Sequence, residues 1–285
     1  MMTRYYRFAG VNVAVSMPEA LFYEEEYRFA AFRAEETEDP YEFQFQMQER
    51  LLPPEGQLVL CRPDIWVFTS PECTVRYIGR CNESWETAAM RAEYRNKRVE
   101  VQLNQSHFPG KVGVGNVLDC LAAEHLIARK DGFILHCSCI ERNGKAILFT
   151  APSGTGKSTQ ADLWHQYRGT EIINGDRIAV RKANGVLTAE GIPYAGSSQY
   201  CQNRSLPLEA VVYLHQAPEN TIRKLRGYEA FSKIWEGVSV NTWNREDLER
   251  VSAVIQTMVS RIPVFYLSCT PDEGAVVTLE ENLPV

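Results

Sequence analysis

No apolar stretch in this 285-residue sequence approaches the roughly 18–20 residues that a membrane-spanning helix needs. The best N-terminal candidate, Phe8 to Met17, is interrupted by Asn12 and runs on into Glu24, Glu25 and Glu26, so neither leader nor anchor is expected. A basic excess is missing too. Thirty Lys and Arg face 36 Asp and Glu, and the formal charge of −6 argues against a nucleic-acid coat or a polybasic membrane contact. The eight cysteines are scattered, and Cys137-x-Cys139 finds no second pair or histidine cluster. That excludes a disulfide framework and a zinc site and leaves reduced thiols in a cytoplasmic protein as the expectation. Internal repeats and low-complexity tracts are also lacking. What remains, 45% apolar and 23% charged, is the composition of a globular protein of one to two domains.

Residues 1–114 read as a β-rich N-terminal domain. Val11, Val13 and Val15 alternate, as do Phe43, Phe45 and Met47, and later Val99, Val101 and Leu103. Leu58 to Cys61, Ile65 to Phe68 and Val75 to Ile78 are further strand candidates, with Pro53-Pro54-Glu55-Gly56 and Ser70-Pro71 as turns. Ala88 to Asn96 is expected to be a short helix. No chemical constellation stands out here, and partner or substrate recognition is the expected role.

A composition shift near Gly113-Val114-Gly115 places the second domain at 115–285. Val117, Leu118, Leu121, Ala122, His125 and Leu126 recur at helical spacing, with His125 read as a packed or rim histidine rather than a ligand. Phe133 to Ile140 and Ala146 to Phe149 form a hairpin about Asn143-Gly144. The second strand leads into Ala151-Pro152-Ser153-Gly154-Thr155-Gly156-Lys157-Ser158, a Walker A phosphate loop with Ala in place of the first Gly. Gly154 and Gly156 let successive N–H groups converge on phosphate oxygens. Lys157 sets a point charge against the β- and γ-phosphates, Ser158 offers a hydroxyl to Mg²⁺, and the helix opening through Thr159 points its positive end at the anion. The nucleotide-binding residues are therefore Ser153 to Thr159.

Phosphoryl transfer also needs a carboxylate. Ile172-Ile173-Asn174-Gly175-Asp176 is an apolar strand ending in an acid, which makes Asp176 the second metal-binding residue beside Ser158. Arg177 is either a phosphate contact or a solvated arginine. Asn184-Gly185 marks another hairpin, and the polar loop Glu190 to Ser198 is long enough to reach an active site. Ala210 to Leu214, a helix capped by Asn244 and running to about Ser260, and Val264 to Leu267 complete the scaffold. Arg204, Arg223 and Arg226 fit surface salt bridges better than nucleotide contacts.

Between about residues 116 and 215 the chain resembles the HPr kinase/phosphorylase catalytic domain, which shares its fold with ATP-dependent phosphoenolpyruvate carboxykinase. The resemblance lies in the order of His136 on a strand, the Asn143-Gly144 turn, the phosphate loop, and Asp176-Arg177 only 19 positions after Lys157. Pro193-Tyr194-Ala195-Gly196-Ser197 resembles the Pro-aromatic-x-Gly-Ser loop of small HPr-kinase-like proteins found with peptide-modifying systems. The resemblance implies an α/β fold with a phosphoenolpyruvate-carboxykinase-like P-loop kinase core behind the β-rich domain, ATP and Mg²⁺ as cofactors, a peptide or small protein as substrate, and a homo-oligomer. It also implies that His136 faces the transferred phosphate; the residues alone equally suit a packed strand histidine. Where the family has two adjacent Asp, this sequence has Gly175-Asp176, so the base for the acceptor hydroxyl falls to Glu190, His136 or Asp176. The family's Arg-Gly-rich signature is absent, which argues against phosphorylase activity.

The expectation is thus an ATP- and Mg²⁺-dependent kinase acting on a hydroxyl, with Asp176, His136, Lys157 and Glu190 as catalytic residues. A small-metabolite kinase and a non-catalytic nucleotide-binding regulatory module are the alternatives.

Overall fold

The alternation in the N-terminal part is built as a sheet. Its strands are β1 (Met2–Phe8), β2 (Val11–Met17), β3 (Arg33–Ala34), β4 (Tyr41–Gln48), β5 (Gln57–Arg62), β6 (Ile65–Thr69), β7 (Thr74–Arg80), β8 (Trp85–Glu93) and β9 (Arg98–Asn104). They lie in the order β3-β1-β2-β4-β9-β8-β7-β6-β5, with β2, β4 and β9 mutually parallel. Val13 and Val15, Phe43 and Phe45, and Val99, Val101 and Leu103 are all buried on one face. The intervening Gln46, Glu100 and Gln102 hydrogen-bond one another on the opposite face. Phe29, on the short helix α1 (Tyr27–Ala30), packs edge-on against Tyr6 with ring centroids 4.5 Å apart.

The helix expected over Ala88 to Asn96 is instead strand β8, paired to β7 on one side and β9 on the other. Ala88, Ala89 and Met90 favour helix in isolation, but two waiting strand edges outweigh an intrinsic preference worth a few tenths of a kcal/mol per residue.

This computed structural model describes all residues except 24–25, 81–84, 109–110, 197 and 285, so Glu24, Glu25, Cys81 and Ser197 lie outside the described residues. The chain divides into two compact units, Met1–Ala123 and Glu124–Val285. The division follows Ala123 where composition had marked 114/115. Helix α2 (Val114–Cys120) stays with the first unit, its Asn116, Asp119 and Cys120 lining a cavity with Ile65, Ile78 and Leu103. The single helix expected from Val117 to Leu126 is two, α2 and α3 (Ala123–Ala128), because Ala122 takes φ of +50° and a left-handed residue breaks the α-helical ladder. His125 is buried, with Nδ1 2.8 Å from Asp247 Oδ2.

The second unit is mixed α/β. Its strands are β10 (Gly132–Arg142), β11 (Lys145–Thr150), β12 (Glu171–Asn174), β13 (Arg177–Ala183), β14 (Val186–Gly191), β15 (Ser205–Gln216), β16 (Thr221–Leu225), β17 (Val238–Ser239) and β18 (Val264–Cys269). Both expected Asn-Gly hairpins form, joining β10 to β11 and β13 to β14, with positive φ at Asn143, Gly144, Asn184 and Gly185. The pairings β10–β13–β14–β15–β11–β10 close into a ring. Strands β11, β15 and β18 run parallel and are buried on both faces, which is why Ala146 to Phe149 and Ala210 to Leu214 read as continuous apolar runs.

On one side Ile147, Phe149, Val212 and Leu267 meet Trp164 of α4 (Lys157–Arg168). On the other, Leu148, Val211 and Val264 meet Ile234 of α5 (Gly227–Trp235) and Ile255 and Met258 of α6 (Arg245–Arg261). Helix α7 (Glu273–Glu280) adds Ala275, Val276 and Leu279 to the α4 side. Full burial of an Ile, Leu or Phe contributes about 1.5–3 kcal/mol, so these two layers fix the strand ends from which the site is built. Among the described residues no helix is long and apolar enough to cross a membrane.

Candidate active site

The loop from Ala151 to Gly156 joins β11 to α4 and needs two left-handed turns, at Gly154 (φ +79°) and Gly156 (φ +106°). A side chain at either would be strained, and the chain has glycine at both. Helix α4 then begins at Lys157, with its first free amides facing the loop. Lys157 is buried, and its Nζ donates to the Ala151 and Pro152 carbonyls at 3.1 and 3.2 Å. Burial pulls its pKa below the ordinary lysine value, with Cys137 and Asp176 opposing. Ser138, on β10, anchors the start of α4 by donating to the Lys157 carbonyl at 2.6 Å.

Strand β12 delivers the acid. Asn174, fully buried, accepts from the amides of Asp176 and Arg177 at 2.8 and 3.0 Å and donates to the carbonyls of Ile192 and Tyr194. One amide side chain therefore holds the acidic turn and the 192–194 loop together. Asp176 lies beside His136, with Oδ1 3.2 Å from Nε2. The hydrogen bond from His136 holds the Asp176 carboxyl below the usual carboxylate range; burial opposes this, and Arg177 assists with Nε 3.3 Å from Oδ2. His136 is the last β10 residue paired to β13, and Cys137 the first paired to β11. The backbone at that switch is pinned from both sides: His136 N donates to the Gly237 carbonyl at 2.8 Å, and Thr150 Oγ1 donates to the His136 carbonyl at 3.0 Å.

Ser158 Oγ donates to the Gly175 carbonyl at 3.4 Å, so the loop hydroxyl and the Asp176 carboxylate flank one residue. Gly175 itself has no room for a side chain. An added Cβ would fall 1.8 Å from Ser198 Oγ and 2.7 Å from Ser198 Cβ. Ser198 thus fills the space that a side chain at 175 would need, and its buried hydroxyl has no hydrogen-bond partner among the described residues. Gly196 packs on Asp176 in the same way, an added Cβ meeting the Asp176 Cγ at 3.2 Å.

Among the described residues the structure brings His136, Lys157, Ser158 and Asp176 together about Gly175. Glu190 is not in contact with them. Its Oε1 accepts from Arg181 Nε at 3.0 Å and Thr188 Oγ1 at 2.8 Å, and the carboxylate is nearly buried in that pair. Ser153 and Thr155 lie in the loop and Thr159 in the first turn of α4. Arg204 pairs with Glu141 and Glu171, and Arg223 with Glu229, as surface salt bridges. The sequence shows Asn174 only within an apolar strand and Ser198 only at the end of a polar loop. An Asn two residues before a strand-end acid is an Asx-turn signal, whereas nothing local marks Ser198 as a neighbour of Gly175.

The oxygen donors present suit Mg²⁺. One hydroxyl and one ionised carboxylate are what that ion takes from a protein when phosphates and water complete its shell. Among the described residues no three His, Cys, Asp or Glu side chains gather into a closed protein cage.

No functionally curated protein matches the sequence. Among solved structures, the HPr(Ser) kinase/phosphatase from Coxiella burnetii is similar over 52% of this chain and 86% of its own, at 11% identity and a TM-score of 0.32. The family described as SynChlorMet cassette protein ScmC matches residues 117–275, which run from within α2 to within α7 and include every residue of the site above, and the chain belongs to that family.

Proposed function

We propose that this protein is an ATP- and Mg²⁺-dependent kinase, built on a phosphoenolpyruvate-carboxykinase-like P-loop core, that transfers the γ-phosphoryl group to the hydroxyl of a Ser in a peptide or small protein. The observation carrying this reading is the His136–Asp176 pair, 3.2 Å apart, set beside the loop that bears Lys157 and Ser158. Lys157 and the N-terminus of α4 hold the β- and γ-phosphates, while Ser158 and Asp176 hold the metal. Bound Mg²⁺ would neutralise charge on the phosphates. Asp176 accepts a hydrogen bond from His136 Nε2–H and so leaves Nδ1 to take the acceptor's proton. With its pKa depressed, Asp176 is a weak base and a good orienting anion, and the base role passes to His136. Positioning and charge supply most of the acceleration. The acceptor class rests on the resemblance of Pro193 to Gly196 to the loop of peptide-associated kinases, and the first unit is assigned the recognition of that partner.

One observation favours a second reading, a regulatory module that binds nucleotide without transfer: Ser198 leaves no space at Gly175 for the missing acid. γ-Labelled ATP with Mg²⁺, offered to a peptide-rich lysate, free serine and small sugars, separates the two. Label on a peptide Ser, abolished in Lys157→Ala, is the expected result. Label on a sugar moves the substrate to small metabolites, and ATP binding without any labelled acceptor moves the function to regulation.

A further inference from the structure

Arg177 has no task in the proposed transfer, yet it stands beside the groups that carry it. It is the register partner of His136 across the antiparallel pair of β13 and β10, and residues directly opposite in such a pair project from the same face of the sheet. The two side chains clasp one carboxylate between them. His136 Nε2 lies 3.2 Å from Asp176 Oδ1, and Arg177 Nε lies 3.3 Å from Oδ2. The backbone beneath is fixed, because Arg177 N donates to the buried Asn174 Oδ1 at 3.0 Å.

The guanidinium is held on one side only. Beyond Asp176 its contact is with Tyr194, whose ring centre lies 5.9 Å from Cζ. Its side chain makes no other hydrogen bond or ion pair among the described residues and is 43% exposed. A guanidinium engaged through Nε still offers its two Nη groups as a fork, the geometry that a carboxylate matches with two parallel hydrogen bonds. Lys157 and the N-terminus of α4 already serve the phosphates from the loop, whereas the acceptor has to bring its hydroxyl to His136 and so passes its cross-strand neighbour. We infer that Arg177 determines acceptor specificity by pairing with the carboxylate of an acidic residue close to the reacting Ser. The reach is short. One residue of extended chain spans at most about 3.6 Å, so that acid lies one or two positions from the Ser. A basic residue in the same place would meet Arg177 as a like charge. This inference rests on the kinase reading and names the class of peptide that the site takes.

The test offers γ-labelled ATP and Mg²⁺ with a library of N-acetylated, C-amidated peptides, each with one Ser between randomised residues. Labelled peptides are expected to be enriched about tenfold or more in Asp and Glu within two positions of the Ser, the scale of one charge-assisted bidentate pair, and to be depleted in Lys and Arg. Arg177→Gln should erase the enrichment through KM for the peptide, with ATP binding by calorimetry unchanged. If that variant does not fold, salt serves with the wild type: at about 1 M ionic strength, where the Debye length is about 3 Å, the enrichment should shrink. Labelling without regard to flanking charge overturns the inference and leaves the kinase reading intact, as does an enrichment that survives Arg177→Gln or is insensitive to salt. A loss of kcat in Arg177→Gln that is equal for all peptides also overturns it and assigns the arginine to the transferred phosphoryl group. ATP binding with no labelled peptide overturns the inference and the peptide-kinase reading together.

Discussion

Around Gly175, Asn174 holds the turn, Ser198 fills the space a side chain would take, and Asp176 carries the charge. A methyl group at 175 cannot be accommodated by turning the Ser198 hydroxyl away, because Ser198 Cβ itself lies 2.7 Å from the added carbon. Gly175→Ala is therefore expected to destabilise the protein by about 1–3 kcal/mol, the usual cost of overpacking. Thermal unfolding should recover most of that loss when Ser198→Gly is added, and the two changes should be strongly non-additive. Equal melting of Gly175→Ala and the wild type would remove the steric account of Gly175. Asp176→Asn keeps the size of the side chain but loses the anion that orients His136. Turnover should fall by about 10²–10⁴, the range for loss of acid–base function, with unfolding little changed.

At the level of elements, the caps offer the cleanest test. Helix α6 is capped by Asn244, whose Oδ1 accepts from Asp247 N at 3.2 Å, and α7 by Asp272, whose Oδ1 accepts from Gly274 N at 2.9 Å. Asn244→Ala should cost about 1 kcal/mol of stability. Asp272 is the more informative residue, because its carboxyl is held below the ordinary value by hydrogen bonds from Thr270, the Gly274 amide and Asn220. Lowered in the folded state, it binds fewer protons than in the unfolded chain. Its stabilising contribution is therefore complete above the ordinary carboxylate range, near about pH 3.9, and is lost as pH falls through the depressed folded value. Asp272→Ala should melt below the wild type at neutral pH, and the gap should close in acid. A gap that stays constant with pH would assign the effect to packing.

Asn244 also shows how far the sequence could be read. Its cap, both Asn-Gly hairpins, the alternating strands and the loop from Ala151 to Ser158 are local signals, complete within a few residues. Strand β8 was misread because its strand character comes from β7 and β9, not from its own residues. The ring through β10, β13, β14, β15 and β11 was invisible for the same reason, as its pairings join distant segments. In the site, Lys157, Ser158 and Asp176 were legible from motif and spacing. His136 was left open by the residues, and only the fold sets it beside Asp176. Glu190 was drawn into the site by its position in a polar loop, yet Arg181 and Thr188 engage it.

For the whole second unit, parallel strands buried on both faces fix three loop ends on one edge. The reading of function depends on a nucleotide whose phosphates lie in the loop at Lys157. The most direct measurement is a crystal structure of the chain with Mg²⁺ and a non-hydrolysable ATP analogue. The account requires Lys157 Nζ to leave the Ala151 and Pro152 carbonyls for the phosphates, with the γ-phosphate facing His136 and Asp176. Phosphates bound elsewhere, or a γ-phosphate turned away from that pair, would contradict it.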